Sequence, residues 1–294
     1  MIKVDGRKIA QGIVEGLKKQ PKPNKSLVVV LVGDDPASLS FIKQKQRVAE
    51  ELGVDFKVYE LDINIRQKEL ESVAERLSDD ERVGGIIVQL PLPKKIDRDK
   101  VLLKLDSQKD VDNLTGEAGV EAPVVMVVGD VIKYIIEQKL DDEILRLRPL
   151  IAASAPADAK AVAGRQNDDG DGLIVAVVGA KGFLVGKPIV KWLSQFSIFN
   201  FQFSIKEVDI ETKNLEEELK DADLVISGVG QANLINPDWL KDGAGVIDFG
   251  YPPDLIQNPA SSIQHLEFYT PTPGGTGPIL VAELFRNFYK LAKK

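Results

Sequence analysis

The side chains best suited to chemistry in this sequence begin with a lysine on an apolar helical face. In the segment ASLSFIKQKQRVAEELG, Phe41, Lys45, Val48 and Leu52 recur at helical spacing and so share one face. A lysine on such a face is partly desolvated, which lowers its pKa toward the range useful for proton transfer. The alternative is a lysine whose amine reaches solvent at the edge of a domain.

Two further polar residues lie where ligands bind in α/β proteins. Gln89 ends the apolar run GIIVQ and precedes Leu90-Pro91-Leu92-Pro93. The carboxyl end of a parallel strand is a common ligand-binding edge, so Gln89 either contacts a ligand or hydrogen-bonds within its loop. Asp112, in QKDVDNLTG, either binds an amino-bearing or cationic ligand edge or caps a turn.

A glycine-rich turn follows a second apolar strand. The segment VVGAKGFLVGKP contains Gly179, Gly182 and Gly186 between a strand that ends at Val178 and a predicted helix. Glycines allow a tight turn and a close approach of the backbone to a ligand, and the helix N-terminus offers amides to a pyrophosphate. The spacing differs from GxGxxG, so a tight turn without a ligand is the alternative.

Two charged residues near this turn bear on the choice of nicotinamide cofactor. Lys181 would pair with the 2′-phosphate of NADP, whereas Asp209, 23 residues after Gly186, would bond the ribose hydroxyl of NAD and repel that phosphate. The two residues favour opposite cofactors, and either is also consistent with a solvated surface charge.

The elements that must position these residues alternate between strands and helices. Such alternation predicts an α/β fold with parallel, doubly wound sheets. Apolar runs and helical spacing predict strands at 26–32, 56–61, 85–90, 173–178, 201–208, 223–227 and 245–249, and helices at 9–17, 38–52, 70–77, 186–194, 215–219 and 279–291.

Length and composition predict two domains. The chain has 294 residues, which suffices for two cores. We expect a catalytic domain at 1–145, joined by the C-terminal helix at 279–294, and a dinucleotide-binding Rossmann domain at 146–278, with a cleft between them. Residues 151–171 are rich in Ala, Asp and Gly and indicate a loop or insertion.

The bulk charge excludes several classes of function. The net charge is −7, which argues against nucleic-acid binding. There is no cysteine and one histidine, His265, so thiolate chemistry is excluded and we expect no metal site. No apolar run is long enough for a signal peptide or a membrane span, which predicts a cytoplasmic protein without a membrane partner.

Several segments together resemble one enzyme family. DDPAS, VQLPLP, KDVD, LVGKP, ADLVISGVGQANLI, GVIDFGY and TPTPGGTGP occur in the order found in bifunctional methylenetetrahydrofolate dehydrogenase/cyclohydrolases, and they span nearly the whole chain. The resemblance implies oxidation of 5,10-methylenetetrahydrofolate with NADP or NAD, followed by hydrolysis of 5,10-methenyltetrahydrofolate to 10-formyltetrahydrofolate. It also implies a homodimer.

The resemblance assigns roles to individual residues. Lys45 matches the catalytic lysine, Gln89 the glutamine that supports it, and Asp112 the aspartate that anchors the pterin ring. The predicted substrate-binding residues are Phe41, Gln89, Leu90, Pro91, Asp112, Pro273, Gly274 and Gly275. The predicted cofactor-binding residues are Gly179, Ala180, Lys181, Gly182, Gly186, Asp209, Thr212, Gly230 and Tyr251.

The chain also departs from the family pattern. Phe41 replaces a tyrosine, Pro123-Val124-Val125-Met126 replaces Pro-Cys-Thr-Pro, Ala180-Lys181 replaces Gly-Arg, and Asp209-Ile210 replaces His-Ser. Lysine lacks the bidentate fork with which arginine binds phosphate. Besides the bifunctional enzyme, two hypotheses therefore stay open: a monofunctional NAD-dependent dehydrogenase and a catalytically quiet folate- or nucleotide-binding homologue.

Overall fold

The computed structural model describes residues 1–138, 147, 172–195, 203–209, 211–258 and 260–293. The predicted loop at 151–171, the domain boundary at 145/146 and Ile210 lie outside these residues. In chain order the strands and helices are β1 (Ile2–Lys3), α1 (Gly6–Lys18), β2 (Ser26–Val32), α2 (Pro36–Leu52), β3 (Phe56–Leu61), α3 (Gln67–Asp79), β4 (Val83–Val88), α4 (Arg98–Leu102), α5 (Pro123–Gln138), β5 (Leu173–Val178), α6 (Gly186–Ser194), β6 (Phe203–Val208), α7 (Leu215–Leu219), β7 (Leu224–Ser227), β8 (Gly245–Asp248), β9 (Phe268–Tyr269) and α8 (Thr276–Leu291).

The strands form two sheets, and every strand pair in them is parallel. One sheet has the strand order β3-β2-β4, and the other has the order β1-β9-β8-β7-β5-β6. Parallel strands need helical crossovers between them, and the sequence supplies a helix between most consecutive strands. The predicted α/β class with parallel sheets is confirmed.

The chain divides into two compact units. The three-stranded unit comprises Ala10–Pro123 and Val281–Lys294, and the six-stranded unit comprises Met1–Ile9 and Val124–Leu280. The division falls within α8, whose first residues belong to the six-stranded unit. The domain limits expected from the sequence, which assign 1–145 and 279–294 to catalysis and 146–278 to cofactor binding, stay a prediction.

The centre of the three-stranded unit is built from two fully buried strands. Every residue of β2 and of β4 is buried, and the run SLVVVLV supplies the β-branched side chains that suit such a position. The edge strand β3 keeps partly exposed side chains. The C-terminal segment packs closely on Gly84 and Gly85. A β-carbon at Gly84 would contact Ala292 at less than 3.0 Å, and a β-carbon at Gly85 would contact Phe288 at less than 3.0 Å.

The core of the six-stranded unit lies around β5, β7 and β8. Its buried apolar residues include Ala176, Val178, Val208, Leu219, Ala222, Val225, Ile235, Leu240, Ala244, Val246, Leu255, Ile263, Leu266 and Tyr269. The carboxyl ends of β5, β6 and β7 pair in register, with Val178 opposite both Val208 and Ser227. This register brings the segments that follow the three strands to one edge of the sheet, where α/β folds bind ligands.

Several elements differ from the expectations. Helix α5 was not predicted, because its run of valines lacks a clear helical pattern. Strands β1 and β9 have two residues each and give too short a signal to recognise. Helix α8 begins at Thr276, three residues before the predicted start, and β4 ends at Val88, so Gln89 lies just past the strand. Among the described helices, none is long and apolar enough to cross a membrane.

Candidate active site

Helix α2 places the candidate lysine, and its ends are fixed by local sequence. The Asp35 carboxylate accepts a hydrogen bond from the Ser38 N–H at 2.8 Å, and Pro36 occupies the first helical turn. Gly53 ends the helix in the left-handed conformation at φ 65°. The predicted helix over 38–52 is therefore confirmed, and it carries Lys45 near its middle.

The Lys45 amine is buried and held by a glutamine. The residue is 3% exposed, and its Nζ donates to Gln89 Oε1 at 2.8 Å. The amine also lies 5.5 Å from the centroid of the Phe41 ring, within the range of a cation–π contact. The alternative of an amine that reaches solvent is therefore wrong.

Gln89 is positioned by the sheet and by its own loop. Its backbone N–H donates to Val30 O at 2.9 Å, which extends the β2–β4 pairing by one residue. Its Nε2 donates to Leu90 O at 3.0 Å, so the amide turns its oxygen toward Lys45. The next peptide bond, Leu90–Pro91, is cis. Gln89 thus makes the hydrogen bond within its loop that was one of the two alternatives from the sequence, while its contact with a ligand stays a prediction.

Asp112 belongs to a segment that runs beside β4. Asp110 forms a parallel bridge with Ile86, and the fully buried Asp110 carboxylate accepts the Thr115 N–H at 2.7 Å. From α8, the Asn287 side chain donates to Val111 O at 2.9 Å. These contacts on either side hold the backbone of Asp112, whose own side chain is half-buried.

The charges of this cluster influence one another. Burial lowers the pKa of Lys45 from 10.5 to about 8, and the opposing effect of the Asp112 charge is smaller. Burial raises the pKa of Asp112 to about 6, a change that Lys45 opposes and that Asp110 adds to. Near neutral pH both the amine and the carboxylate can therefore gain or lose a proton, as proton transfer requires.

The glycine turn after β5 is fixed by bonds to β6 and by close backbone approach. The N–H groups of Gly179 and Ala180 both donate to Val208 O, at 2.8 and 3.2 Å. Gly182 N–H then donates to Gly179 O at 2.8 Å. A β-carbon on Gly186 would overlap Gly179 O and the Ala180 backbone, so only glycine allows the first turn of α6 to lie so close to β5.

Lys181 and Asp209, which favour opposite cofactors, are paired with each other. Lys181 Nζ lies 2.8 Å from the Asp209 carboxylate, and its side chain is 75% exposed. The Asp209 carboxylate raises the pKa of Lys181. Thr212 closes the same turn, since its Oγ1 accepts the Asp209 N–H at 3.1 Å.

Gly230 and Tyr251 come from two segments that meet in the same unit. Gly230 has φ +75°, and a β-carbon there would lie 3.4 Å from Tyr251 O. The Tyr251 side chain is 76% exposed, so it offers a ring rather than packing into the core. The segments thus bring both residues together.

The residues of this turn fit a dinucleotide. The first turn of a helix leaves N–H groups without intrahelical partners, and here that turn belongs to the nine-residue helix α6. The close approach at Gly186 and the exposure of Lys181 and Gly182 leave backbone and charge accessible beside it. Among the described residues, no group of three or more His, Asp or Glu side chains is arranged to hold a metal ion.

The turn Pro273–Gly275 lies in the six-stranded unit and is tied to the N-terminal segment. Gly6 N–H donates to Gly274 O at 3.0 Å, and a β-carbon on Gly6 would overlap Gly275 O. The Thr272–Pro273 bond is cis, and Gly274 has φ +100°.

Sequence patterns find most of this arrangement but omit two residues. The structure brings Phe41, Lys45, Gln89 and Asp112 together in the three-stranded unit, and it places the predicted cofactor residues and Pro273–Gly275 in the six-stranded unit. Their roles in binding and catalysis stay predictions. Asp110 was omitted, although a second acid two residues before Asp112 was a signal. Asn287 carries no such signal.

Comparison with known proteins identifies both parts of the chain. Residues 4–112 match the family described as tetrahydrofolate dehydrogenase/cyclohydrolase, catalytic domain. Residues 154–294 match the family described as tetrahydrofolate dehydrogenase/cyclohydrolase, NAD(P)-binding domain. The two matches together span most of the chain.

Individual relatives of the chain are named as members of the same family. The bifunctional protein FolD of Nitratiruptor sp. is 34% identical over 99% of this chain and 98% of its own length. The crystal structure of the bifunctional FolD from Campylobacter jejuni is 30% identical, with a TM-score of 0.77 over 98% of this chain and 97% of its own. The Trypanosoma brucei FolD structure, described as complexed with NADP and an inhibitor, shares the fold at 24% identity, with a TM-score of 0.78 over 99% of this chain and 97% of its own.

These findings confirm the resemblance that the motifs indicated, over nearly the whole chain. The predicted enzyme class, a folate-linked dehydrogenase and cyclohydrolase with an NAD(P)-binding domain, is confirmed with it. The chain belongs to the tetrahydrofolate dehydrogenase/cyclohydrolase family.

Proposed function

We propose that this chain oxidises 5,10-methylenetetrahydrofolate to 5,10-methenyltetrahydrofolate with NADP and then hydrolyses the product to 10-formyltetrahydrofolate. The observation that carries the proposal is the buried Lys45 amine, bonded to Gln89 at 2.8 Å with its pKa lowered to about 8. A protein that only bound folate would gain nothing from this costly amine. The quiet homologue is therefore the weaker hypothesis.

The oxidation needs positioning more than it needs a strong base. The nicotinamide, when bound, accepts the hydride that leaves the methylene carbon, so no proton has to be removed in that step. The Asp112 carboxylate, partly ionised near pH 6, suits the amino-bearing edge of a pterin ring. Phe41 offers a ring face for stacking, and Leu90 and Pro91 add apolar contact. We assign these residues of the three-stranded unit to substrate binding. The substrate-binding role of Pro273–Gly275, in the six-stranded unit, stays a prediction from the family resemblance.

The hydrolysis does require proton transfer. Water adds to the methenyl carbon and loses one proton, which leaves a hydroxyl on that carbon. The bond from the carbon to N5 then breaks, the hydroxyl loses its proton as the formyl C=O forms, and N5 takes up a proton, so that one proton is released overall. The neutral form of Lys45 can accept the proton from the attacking water, because its lowered pKa leaves a fraction of the amine neutral near pH 7–8. Gln89 keeps the amine oriented through its Oε1.

The preference for NADP or NAD should depend on the ion pair between Lys181 and Asp209. In the proposed NADP complex, exposed Lys181 would bind the 2′-phosphate, and the N-terminus of α6 would hold the pyrophosphate. A second candidate is the monofunctional NAD-dependent dehydrogenase. The observation that favours NAD is Asp209, which lies beside β6 and already holds Lys181 at 2.8 Å.

One experiment tests the activity and the cofactor together. The purified chain is mixed with methylenetetrahydrofolate and either NADP or NAD, and the absorbance of reduced cofactor and of methenyltetrahydrofolate is followed. We expect reduced cofactor to form with little accumulation of the methenyl product. Accumulation of that product with NAD would support the monofunctional alternative. Failure to reduce either cofactor would contradict both enzymatic proposals.

The proposal extends to a cytoplasmic homodimer, which the family resemblance implies. Sedimentation at working concentration distinguishes a dimer from a monomer. A monomer with full activity would remove the dimer from the proposal and leave the reaction in place.

A further inference from the structure

The six-stranded unit contains a buried carboxylate that the sequence patterns did not single out. Asp254 is fully buried, in the segment that follows β8. Its Oδ2 accepts bonds from Ser227 Oγ at 2.6 Å and from Val229 N–H at 2.8 Å, and its Oδ1 accepts the Gln231 N–H at 2.7 Å. A single carboxylate therefore fixes the end of β7 and the loop that follows it.

The loop after β7 packs directly on the glycine turn. A β-carbon on Gly179 would lie 2.9 Å from Val229 Cγ2, and one on Gly228 would lie 2.6 Å from Val185 Cβ. Both glycines therefore allow the loop after β7 to pack directly on the turn between β5 and α6. A shift of the loop would move the surface beside the turn that we assign to the cofactor.

A second buried carboxylate fixes the segment that carries Asp254. Asp248 accepts the Gly250 N–H at 2.7 Å and the Leu255 N–H at 3.0 Å, which clamps both ends of the stretch that contains Tyr251. The backbone oxygen of Asp254 also accepts the Ile235 N–H at 2.8 Å. These bonds fix the backbone on either side of Asp254 and so position its carboxylate. The carboxylate in turn positions the loop after β7 through the bonds that it accepts from that loop.

We propose that Asp254 is a positioning residue that determines NAD(P) affinity by holding the Val229–Gln231 loop against the glycine turn, without touching the cofactor. The inference rests on the proposed function, since it uses the cofactor site assigned there. The chemistry requires a carboxylate, because both of its oxygens accept bonds from backbone N–H groups. In an asparagine, the amide NH₂ would face one of those N–H groups, and the loop would have to move.

The test compares Asp254→Asn with a matched variant at the other end of the same sheet. Asp223 also accepts a backbone N–H, from Ile174 at 2.7 Å, but it lies beside the amino end of β5. We expect Asp254→Asn to raise the KM for NAD(P) at least tenfold, with little change in the KM for methylenetetrahydrofolate. Asp223→Asn should leave the cofactor KM unchanged even where it lowers thermal stability.

The hydrolysis of methenyltetrahydrofolate needs no cofactor, so it reports whether the rest of the enzyme is intact. We expect Asp254→Asn to keep this hydrolysis at the wild-type rate. An unchanged cofactor KM, or equal losses in hydrolysis and cofactor-dependent turnover, would overturn the proposal. If Asp254→Asn does not fold, Ser227→Ala removes one of the three bonds and should raise the cofactor KM about threefold. An unchanged KM in that variant would overturn the proposal as well.

Direct binding separates this inference from the proposed function. Titration with NADPH and NADH measures affinity whether or not the chain turns over folate. Weaker binding by Asp254→Asn supports the positioning role even if the wild type shows no turnover, a result that would contradict only the proposed function. If the wild type binds neither reduced cofactor, the positioning role is overturned.

Discussion

Replacing Lys45 with methionine should stabilise the chain at neutral pH while removing hydrolysis of methenyltetrahydrofolate. Methionine has a similar length and no charge, so it fits the apolar face of α2. The wild-type amine is 3% exposed and lies between Gln89 and the Phe41 ring. Holding a charged amine in that place lowers the free energy of unfolding, a cost that we attribute to the proposed role of the amine in hydrolysis.

The size of the effect follows from the pKa. Lowering the pKa of Lys45 from 10.5 to about 8 costs the folded chain about 3 kcal/mol, at about 1.4 kcal/mol per pH unit. The pKa of about 8 already includes the attraction between the amine and the Asp112 carboxylate, so that attraction is not subtracted again. Lys45→Met should therefore raise the free energy of unfolding by about 3 kcal/mol at pH 7.

The stability advantage of Lys45→Met should decrease as the pH rises. The folded pKa lies below the unfolded one, so the cost is complete below about pH 8, where the amine is charged in both states. It shrinks as the pH rises toward 10.5 and the unfolded chain also loses the proton. The advantage of the methionine variant should thus fall below about 1 kcal/mol at pH 10.

Urea unfolding at pH 7 and pH 10, followed by circular dichroism, measures the difference. The matched control is Lys43→Met, which changes an exposed lysine on the same helix and should alter stability by less than about 0.5 kcal/mol. A Lys45→Met variant that is less stable than wild type at pH 7, or equally stabilised at both pH values, would refute the view that the amine is held in a dry environment.

Three further predictions follow from the site. Phe41→Tyr adds a hydroxyl to a ring whose centroid lies 5.5 Å from Lys45 Nζ, and it should speed methenyl hydrolysis roughly tenfold; an unchanged rate would contradict a role for a hydroxyl at this position in proton transfer. Asp209→Asn releases Lys181 from its ion pair, so the ratio of kcat/KM for NADP over NAD should rise about tenfold, and a fall would contradict the assignment. Gly186→Ala places a methyl group against backbone, so it should lose about 1–3 kcal/mol of stability and weaken NADPH binding; normal binding would count against the turn as the cofactor site.

Local periodicity predicted the elements that carry the chemistry. The spacing of Phe41, Lys45 and Leu52 located the helix and the inward-facing lysine, and the apolar runs of β2, β4 and β5 located the central strands. Gln89 was found because strands of a parallel sheet end at a common edge. These features depend on neighbours in the sequence, which a single sequence reveals.

Contacts between distant residues were not predictable in the same way. Asn287 bonds the backbone at Val111 across 176 positions, and no local pattern marks it. Lys181 and Asp209 were seen as opposing signals because the sequence cannot show that they form an ion pair. Asp254 is a lone acid between apolar residues, and its three bonds depend on how β7 and the segment after β8 fold together.

The role of Lys45 is tested most directly by the rate at which wild type, Lys45→Met and Lys43→Met hydrolyse methenyltetrahydrofolate without cofactor. We expect wild type and Lys43→Met to hydrolyse it at equal rates and Lys45→Met to retain less than about 1% of that rate. Hydrolysis by Lys45→Met at the wild-type rate would contradict the claim that this buried amine moves the proton.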